Sequence, residues 1–248
     1  HDDAVMFIQD AFDGTHLQTL TIGDAVNIGD YFCSDATNRQ TLTIGSVENI
    51  GRNFCSNTKK LNAFTLPANV KTIGYNFFNE SNTTEIKSLA TVPPTIESIG
   101  SQLRTIYVPA GSGKDYSSTL VWKDKIIVDG DGVSVAVNVN KPGTLGEEIL
   151  KQTEYVRNVN FLTISGTLNS DDYYQIKENM PNLLSIDLSG TDLTELPAEM
   201  FYNRHAIKSI KLPEKLISIG RYSFYNCNSL KSLDLSSFDT TNVTSMGS

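Results

Sequence analysis

The chain has 248 residues, 39% hydrophobic and 19% charged, which is enough to form a core in one large domain or two smaller ones. Its formal net charge of −8 argues against a nucleic-acid partner, which requires a basic surface, and against adsorption to anionic lipid. No apolar run approaches 18 residues, so we expect no membrane-spanning segment.

The two ends of the sequence suggest a mature or trimmed form. The opening HDDAVMFIQDAF lacks the charged and apolar regions of a signal peptide. The final TTNVTSMGS stops inside a patterned segment. We therefore expect a secretory or lipoprotein signal to belong to a longer form of the chain.

Residues 1–78 contain the first copies of a repeat. Each copy has a triplet that alternates apolar, polar and apolar residues, the pattern of a short strand. The last residues of three triplets, Ile22, Ile44 and Leu66, are 22 positions apart. Stacked strands would then carry an outward ladder of threonines, a cross-strand arrangement that stabilises sheets. The predicted ladder consists of Thr21, Thr43 and Thr65.

A second apolar point in each copy ends in Ile-Gly and is followed by aromatic residues. We expect the glycine to allow a sharp turn and the aromatic residue to fill the far side of each coil. The dipeptides are Ile28-Gly29, Ile50-Gly51 and Ile73-Gly74, and the aromatic residues are Phe32, Phe54, Phe77 and Phe78.

Residues 79–128 depart from the repeat. Pro93-Pro94 cannot continue a central strand or helix. The triplet at 106–108 predicts one more strand with Tyr107 facing outward. The run GSGK at 111–114 lacks the flanking residues of a phosphate loop and is predicted to be a turn. Trp122 is predicted to cover the open end of the first array.

The cluster DGDG at 129–132 marks a boundary. Four alternating valines at 133–139 predict a half-buried strand. Thr144 and Glu147 form a predicted capping box for a helix over 145–152. A strand at 162–164 follows, and Ser170 is predicted to cap a second helix that ends near residue 179.

The repeat returns after residue 180. Ile164, Leu188 and Leu212 are 24 positions apart, and Leu235 follows 23 positions later. Such self-similarity predicts a leucine-rich-repeat solenoid, in which several coils must stack to bury one core. The polar positions between the apolar ones should form a second outward row of alternating charge. This row consists of Asp187, Lys211 and Asp234.

The repeat residues resemble those of the BspA-like leucine-rich-repeat family of bacterial surface proteins. The resemblance rests on IGDYFC at 28–33, IGRNFC at 50–55, LPANVKTIGYNFF at 66–78 and LPEKLISIGRYSFYNCNSLKSLDL at 212–235. The segment LATVPPTI with IYVPAGSGKDY looks like the closing module of such arrays in gut Bacteroidetes, and FDTTNVTSM at 238–246 is similar to a second repeat type.

This resemblance implies a right-handed, β-rich α/β solenoid with short parallel strands on its concave face. It also implies a secreted or surface-anchored adhesin, often an outer-membrane lipoprotein, that binds host proteins, other bacteria or glycans. The family offers no catalytic motif. We expect a monomer without a cofactor. We expect two arrays, residues 1–128 with a closing module at 89–128, and residues 129–248 with a strand–helix module at 133–180.

Cysteine, histidine and acidic residues are the candidates for catalysis or metal binding. Cys33 and Cys55 are one repeat apart, which permits either a disulfide or a ladder of buried thiols, and Cys227 is the third cysteine. His1, His16 and His205 have no serine or cysteine and acid in a known catalytic order. Asp129 and Asp131 resemble the start of a calcium loop, but the twelfth position is Asn140, so a turn is favoured over a metal site.

Three functions remain open at this point. The first is a non-enzymatic binding module that uses the concave row of threonines, the charged row and Tyr107 as its ligand face. The second is a structural stalk that displays another domain. The third is an enzyme, a hydrolase that uses pairs of aspartates.

Overall fold

A computed structural model of the chain describes residues 6–7 and 10–236. The chain divides into two compact units, residues 1–131 and 132–248. The assignment of 1–128 and 129–248 as two domains stays a prediction. His1 and the predicted second repeat type at 238–246 lie outside the described residues.

The described residues of the first unit form mainly two- and four-residue strands and one short helix, all placed in stacked coils. In chain order these are β1 (Met6–Phe7), β2 (Thr19–Ile22), β3 (Asn27–Ile28), β4 (Thr41–Ile44), β5 (Asn49–Ile50), β6 (Thr65–Leu66), β7 (Thr72–Ile73), β8 (Glu85–Ser88), β9 (Thr95–Ile96), β10 (Thr105–Val108), α1 (Gly113–Ser118) and β11 (Ile126–Asp129).

Each early coil contributes two parallel strands, not the single strand that we predicted. The triplets form the pair β2–β4 and the four-stranded sheet β11-β10-β8-β6. Three strands that end at the isoleucine of an Ile-Gly dipeptide, β3, β5 and β7, lie in a second sheet. Its order is β1-β3-β5-β7-β9, and every pair in it is parallel. Two-residue strands are too short to show an alternating pattern, which is why the sequence indicated only turns there.

Gly51 and Gly74, in two of the three Ile-Gly dipeptides, permit the close approach of neighbouring coils, which is a reason other than the predicted sharp turn. A Cβ built on Gly51 would lie 2.5 Å from the backbone nitrogen of Asp30 and 2.5 Å from the carbonyl carbon of Gly29. Neither Gly51 nor Gly74 has a positive φ. The left-handed positions fall on later residues of each turn, such as Asn53 (φ 52°) and Asn57 (φ 55°).

Aromatic side chains form a continuous column inside the first unit. Phe32 and Phe54 stack with centroids 5.9 Å apart and Phe54 and Phe77 with centroids 5.8 Å apart, at interplanar angles of 10° and 18°. All three rings are fully buried. The predicted filling of the coil interior by these residues is confirmed, and each ring packs on the ring one repeat away.

Two thiols and a guanidinium share the same interior. Cys33 and Cys55 are buried free thiols, and Cys227 in the other unit is a half-buried free thiol. Burial raises the pKa of the Cys55 thiol, and the neighbouring Cys33 adds to this effect, whereas the positive charge of Arg39 opposes it. Arg39 is fully buried and donates from Nη2 to the Thr15 hydroxyl at 3.1 Å. It occupies the position of the buried Leu61 one repeat later.

The closing segment of the first unit packs around Trp122, which is fully buried as predicted. Its indole Nε1 donates to the Pro94 carbonyl at 3.3 Å, and its ring lies 5.9 Å from that of Tyr116. The Tyr116 hydroxyl donates to the Ala90 carbonyl at 3.0 Å and lies 2.7 Å from the Ser88 hydroxyl. The double proline thus presents an acceptor to the ring that covers the core.

The predicted turn at 111–114 is wrong in its second half, because Gly113 and Lys114 are the first residues of α1. The amides of Gly111 and Gly113 donate to the two carboxylate oxygens of Asp129, at 2.7 and 3.2 Å. Asp129 therefore fixes the start of this helix to the end of β11.

The second unit has longer strands at its start and returns to short ones. In chain order its elements are β12 (Val133–Val139), α2 (Leu145–Leu150), a 3₁₀ turn (Val156–Asn158), β13 (Val159–Gly166), α3 (Ser170–Asn179), β14 (Ser185–Thr191), β15 (Glu195–Leu196), β16 (Ser209–Lys211) and β17 (Ser218–Ile219). The parallel sheets have the orders β12-β13-β14-β16 and β15-β17. The predicted strands at 133–139 and 162–164 are confirmed.

Both predicted helices of this unit exist, and Thr144 is the N-cap residue of α2 as predicted, but the predicted capping box at α2 and the predicted cap residue of α3 are wrong. The Thr144 side chain makes no capping bond at α2 and instead donates to the Lys141 carbonyl at 2.7 Å. The cap of α3 is Asn169, not Ser170, and it forms a capping box with Asp172. Ser170 is the first helical residue.

Asp172 explains why α2 begins where it does. Its buried carboxylate accepts from the amides of Gly143 (2.7 Å), Leu145 (2.9 Å) and Asn169 (3.0 Å). One carboxylate thus satisfies backbone donors at the starts of two helices, where the helix dipoles also favour negative charge.

The glycine positions provide a direct test of the stacking. Gly51→Ala should lower the free energy of unfolding by about 2 kcal/mol, because the added methyl group overlaps the backbone of the preceding coil. Gly23→Ala is the matched control, because no atom of the described residues lies within 4 Å of its Cβ position. Urea unfolding of both variants measures the difference, and equal stability of the two would contradict the close approach.

Candidate functional site

The outward faces of the triplet strands carry the predicted ligand-contact residues of the first unit. Thr21 and Thr43 lie directly opposite each other in the β2–β4 pair, and both side chains are exposed. Thr65 is also exposed, but it lies in the next sheet, where it pairs with Lys87. Within the predicted ladder, only Thr21 and Thr43 therefore lie on strands that pair with each other.

Pro67 accounts for the interruption between β4 and β6. In the preceding coil step the Gly45 amide donates to the Ile22 carbonyl at 3.0 Å. Pro67 is the residue one repeat after Gly45, and a proline has no amide hydrogen to donate to Ile44.

Lys87 continues the outward row and was missed by the sequence analysis. It pairs with Thr65 on one side and with Tyr107 on the other, and its side chain is exposed. A step of 22 positions from Thr65 leads to Lys87, because 65 + 22 = 87. The 22-residue spacing therefore extends to Lys87, although the apolar pattern predicts that residues 79–128 depart from the repeat.

Tyr107 follows Lys87 in this row and is half-buried, with Val128 opposite it on β11. Its hydroxyl donates to the Glu85 carboxylate at 3.4 Å across one strand. The structure therefore brings Thr65, Lys87 and Tyr107 into register on adjacent strands, with Glu85 beside them. We call the row Thr21, Thr43, Thr65, Lys87 and Tyr107 the strand face of the first unit.

The second unit also has an outward row of residues on adjacent strands, and two of these residues are charged. Ala136, Thr163, Asp187 and Lys211 are opposite one another on successive strands. The Lys211 ammonium lies 3.5 Å from the Asp187 carboxylate. Partial burial raises the pKa of Asp187, but hydrogen bonds from the Ser189 hydroxyl and amide, together with Lys211, hold it below its ordinary value.

Asp234 is not part of a strand pair. It is exposed, and its carboxylate accepts from the Ser236 amide at 2.8 Å, as the Asp187 carboxylate accepts from the Ser189 amide at 2.8 Å. The Ser236 hydroxyl and amide lower the pKa of Asp234. The two aspartates therefore share a local Asp-x-Ser turn, while the role of either residue in ligand contact stays a prediction.

Two further features of the described ranges bear on function. Residues 6–7 and 10–236 include no group of three or more histidine, cysteine, aspartate or glutamate side chains that is placed to hold a metal ion. In the same ranges, no helix has the length and apolar character needed to cross a bilayer. His16 is exposed and His205 is half-buried, in the turn regions where the sequence placed them.

Comparison with protein families identifies the repeat. The model of the BspA type leucine-rich repeat region matches residues 6–85 and 144–247 in 6 copies. The chain belongs to this family. The stacked parallel strands of this BspA-type protein confirm the predicted fold class, a β-rich leucine-rich-repeat solenoid.

Individual relatives are more distant. No curated protein matches the BspA-type chain. Among solved structures, it is similar to a leucine-rich repeat protein from Bacteroides ovatus at 16% sequence identity and a TM-score of 0.35. The match covers 93% of this chain and 70% of the other.

The lowered pKa of Asp187 predicts a pH-dependent contribution to the stability of the BspA-type protein. Because the folded-state pKa lies below the unfolded value, the contribution is present near neutral pH and is lost as the pH falls through the folded pKa. Asp187→Asn should therefore be less stable than the wild type at pH 7, by about 0.5 kcal/mol for a partly exposed pair. The difference should shrink below about pH 4.

Urea unfolding at pH 7, 5 and 3 measures this effect. Ser189→Ala removes one of the hydrogen-bond donors to the Asp187 carboxylate. It should therefore also reduce the pH-dependent contribution of Asp187 to the free energy of unfolding. A stability difference that is constant from pH 7 to pH 3 would contradict the assignment.

Proposed function

We propose that this BspA-type protein is a non-enzymatic binding module of the cell surface. It recognises a host extracellular protein, a component of another bacterium or a glycan through the strand face of the first unit. The family supports an interaction role, because its repeats are a scaffold without a catalytic motif. We further propose that the protein is secreted or anchored as an outer-membrane lipoprotein, that it is a monomer, and that it needs no cofactor.

The observation that carries this proposal is the register of the strand face. Thr21 opposes Thr43, and Thr65 opposes Lys87, so exposed hydroxyl and ammonium groups recur at the spacing of neighbouring strands, about 4.8 Å. Short polar side chains on a rigid sheet lose little entropy on binding, and the adjacent Tyr107 offers a ring with few rotatable bonds. An extended surface of this kind suits a macromolecular ligand.

The charged row of the second unit supports a structural alternative. Asp187 and Lys211 pair with each other, as does Tyr107 with Glu85 in the first unit. Side chains that satisfy one another across strands stabilise the sheet and need no external partner. A spacer that displays another domain would require only this.

Binding measurements separate the two possibilities. The purified chain is tested against immobilised extracellular-matrix proteins, mucin-type glycans and intact bacterial cells. We expect saturable binding to one class, weakened by Lys87→Glu and by Tyr107→Ala because both alter the strand face, and Lys211→Glu tests the charged row of the second unit in the same way. Lys114→Glu is the matched control, because Lys114 is an exposed lysine on α1 and not on the strand face.

The outcome is decided by the comparison between variants. Binding that falls at least about fivefold, or about 1 kcal/mol, in the strand-face variants but not in the control supports the proposal. Equal binding by all variants, or no binding to any class, would favour the spacer.

A further inference from the structure

A groove in the second unit lies beside an unpaired strand edge. It has a volume of about 690 Å³, which is within the range of ligand sites. Its lining consists of Thr167, Leu168, Tyr173, residues 192–198 and residues 218–220. The groove is not part of the strand face, and no residue of the strand face lines it.

The groove exists because the second sheet of short strands begins only at β15 in this unit. In the first unit, β3, β5 and β7 each pair with a strand on both sides. In the second unit, β15 pairs with β17 alone within the part of the chain that the structure describes. A step of 24 positions back from Glu195 leads to Asp171, since 195 − 24 = 171, and Asp171 lies in the first turn of α3. The helix replaces the strand that would have covered this edge.

The hydrogen bonds of β15 show which backbone groups face the groove. The amides of Ser218 and Gly220 donate to the carbonyls of Thr194 and Leu196. Within a strand, the amide and carbonyl of one residue point to the same side, and successive residues alternate. The amide and carbonyl of Glu195 therefore point away from β17 and towards the groove.

The groove carries negative charge. Asp192 and Glu195 are exposed side chains in its lining, and the described residues of the lining include no lysine or arginine. The Asp192 carboxylate accepts from the Thr167 hydroxyl at 2.7 Å, and both residues line the groove. Pro197 follows directly after β15 and limits the open edge, because a proline cannot donate to a further strand.

We propose that this groove binds an extended, basic segment of a partner protein by strand addition to β15. The segment donates an amide to the Glu195 carbonyl and accepts from the Glu195 amide, while its lysine or arginine side chains lie against Asp192 and Glu195. Backbone pairing supplies the orientation and the two carboxylates select the charge. This site is independent of the strand face of the first unit.

A designed peptide tests the proposal. The probe is a fluorescein-labelled, capped nine-residue peptide that alternates lysine and valine, and binding to the whole chain is followed by fluorescence polarisation. We expect saturable binding, weakened at least about tenfold, or about 1.4 kcal/mol, by the double variant Asp192→Asn/Glu195→Gln. The double variant Glu154→Gln/Glu214→Gln is the control, because it removes the same charge from exposed positions outside the groove.

Two further measurements separate strand addition from simple charge attraction. A peptide of the same sequence with every backbone amide N-methylated should lose binding, because it has no amide hydrogen to donate to the Glu195 carbonyl. Hydrogen exchange at the Glu195 amide should slow when the unmethylated peptide is present. Equal binding of the methylated peptide, an unchanged exchange rate or no binding at all would overturn the proposal.

The remaining outcomes are also decisive. Lys87→Glu and Tyr107→Ala should bind the peptide as the wild type does, so failure of the strand-face proposal leaves this one intact. Self-association in sedimentation experiments that is abolished by Asp192→Asn/Glu195→Gln would assign the edge to a second copy of the chain and overturn the peptide proposal.

Discussion

The close approach of successive backbone coils is the constraint on which this structure depends. At Gly51 the preceding coil is so near that a methyl group would overlap its backbone. Backbone hydrogen bonds then join neighbouring coils, as from the Cys33 amide to the Phe54 carbonyl at 3.0 Å. Because the coils are in register, like side chains stack on like, and the phenylalanine column fills the interior. Each coil contributes only part of a core, which neighbouring coils complete.

The same register determines where function can lie. Apolar residues of the triplets face inward, so the residue between them faces outward at the spacing of the strands, and this produces the strand face. Where the register is interrupted, other groups become available. Helix α3 takes the place of one strand and leaves Glu195 at an open edge beside Tyr173. Regular stacking thus supplies a flat polar surface, and its interruption supplies a groove.

The sequence predicted the parts of the fold that depend on periodic apolar residues. The triplet strands, the valine strand and both helices of the second unit were found because their patterns are local. The second strand of each coil, the buried Arg39 at a leucine position and the shared cap formed by Asp172 were not found. Asp172 joins residues 27 to 29 positions apart, a relation that no local pattern contains. Of the candidate site, the threonine row was predicted, whereas Lys87 was missed because the repeat continues further than its apolar signal.

Disulfide trapping tests the stacking most directly. The double variants Thr21→Cys/Thr43→Cys and Thr21→Cys/Thr65→Cys are oxidised mildly, and the linked peptides are identified by mass spectrometry. Residues on adjacent strands lie about 4.8 Å apart, within reach of a disulfide, whereas those two strands apart do not. The account predicts an efficient cross-link in the first variant and none in the second. An equal or faster cross-link in the second variant would contradict it.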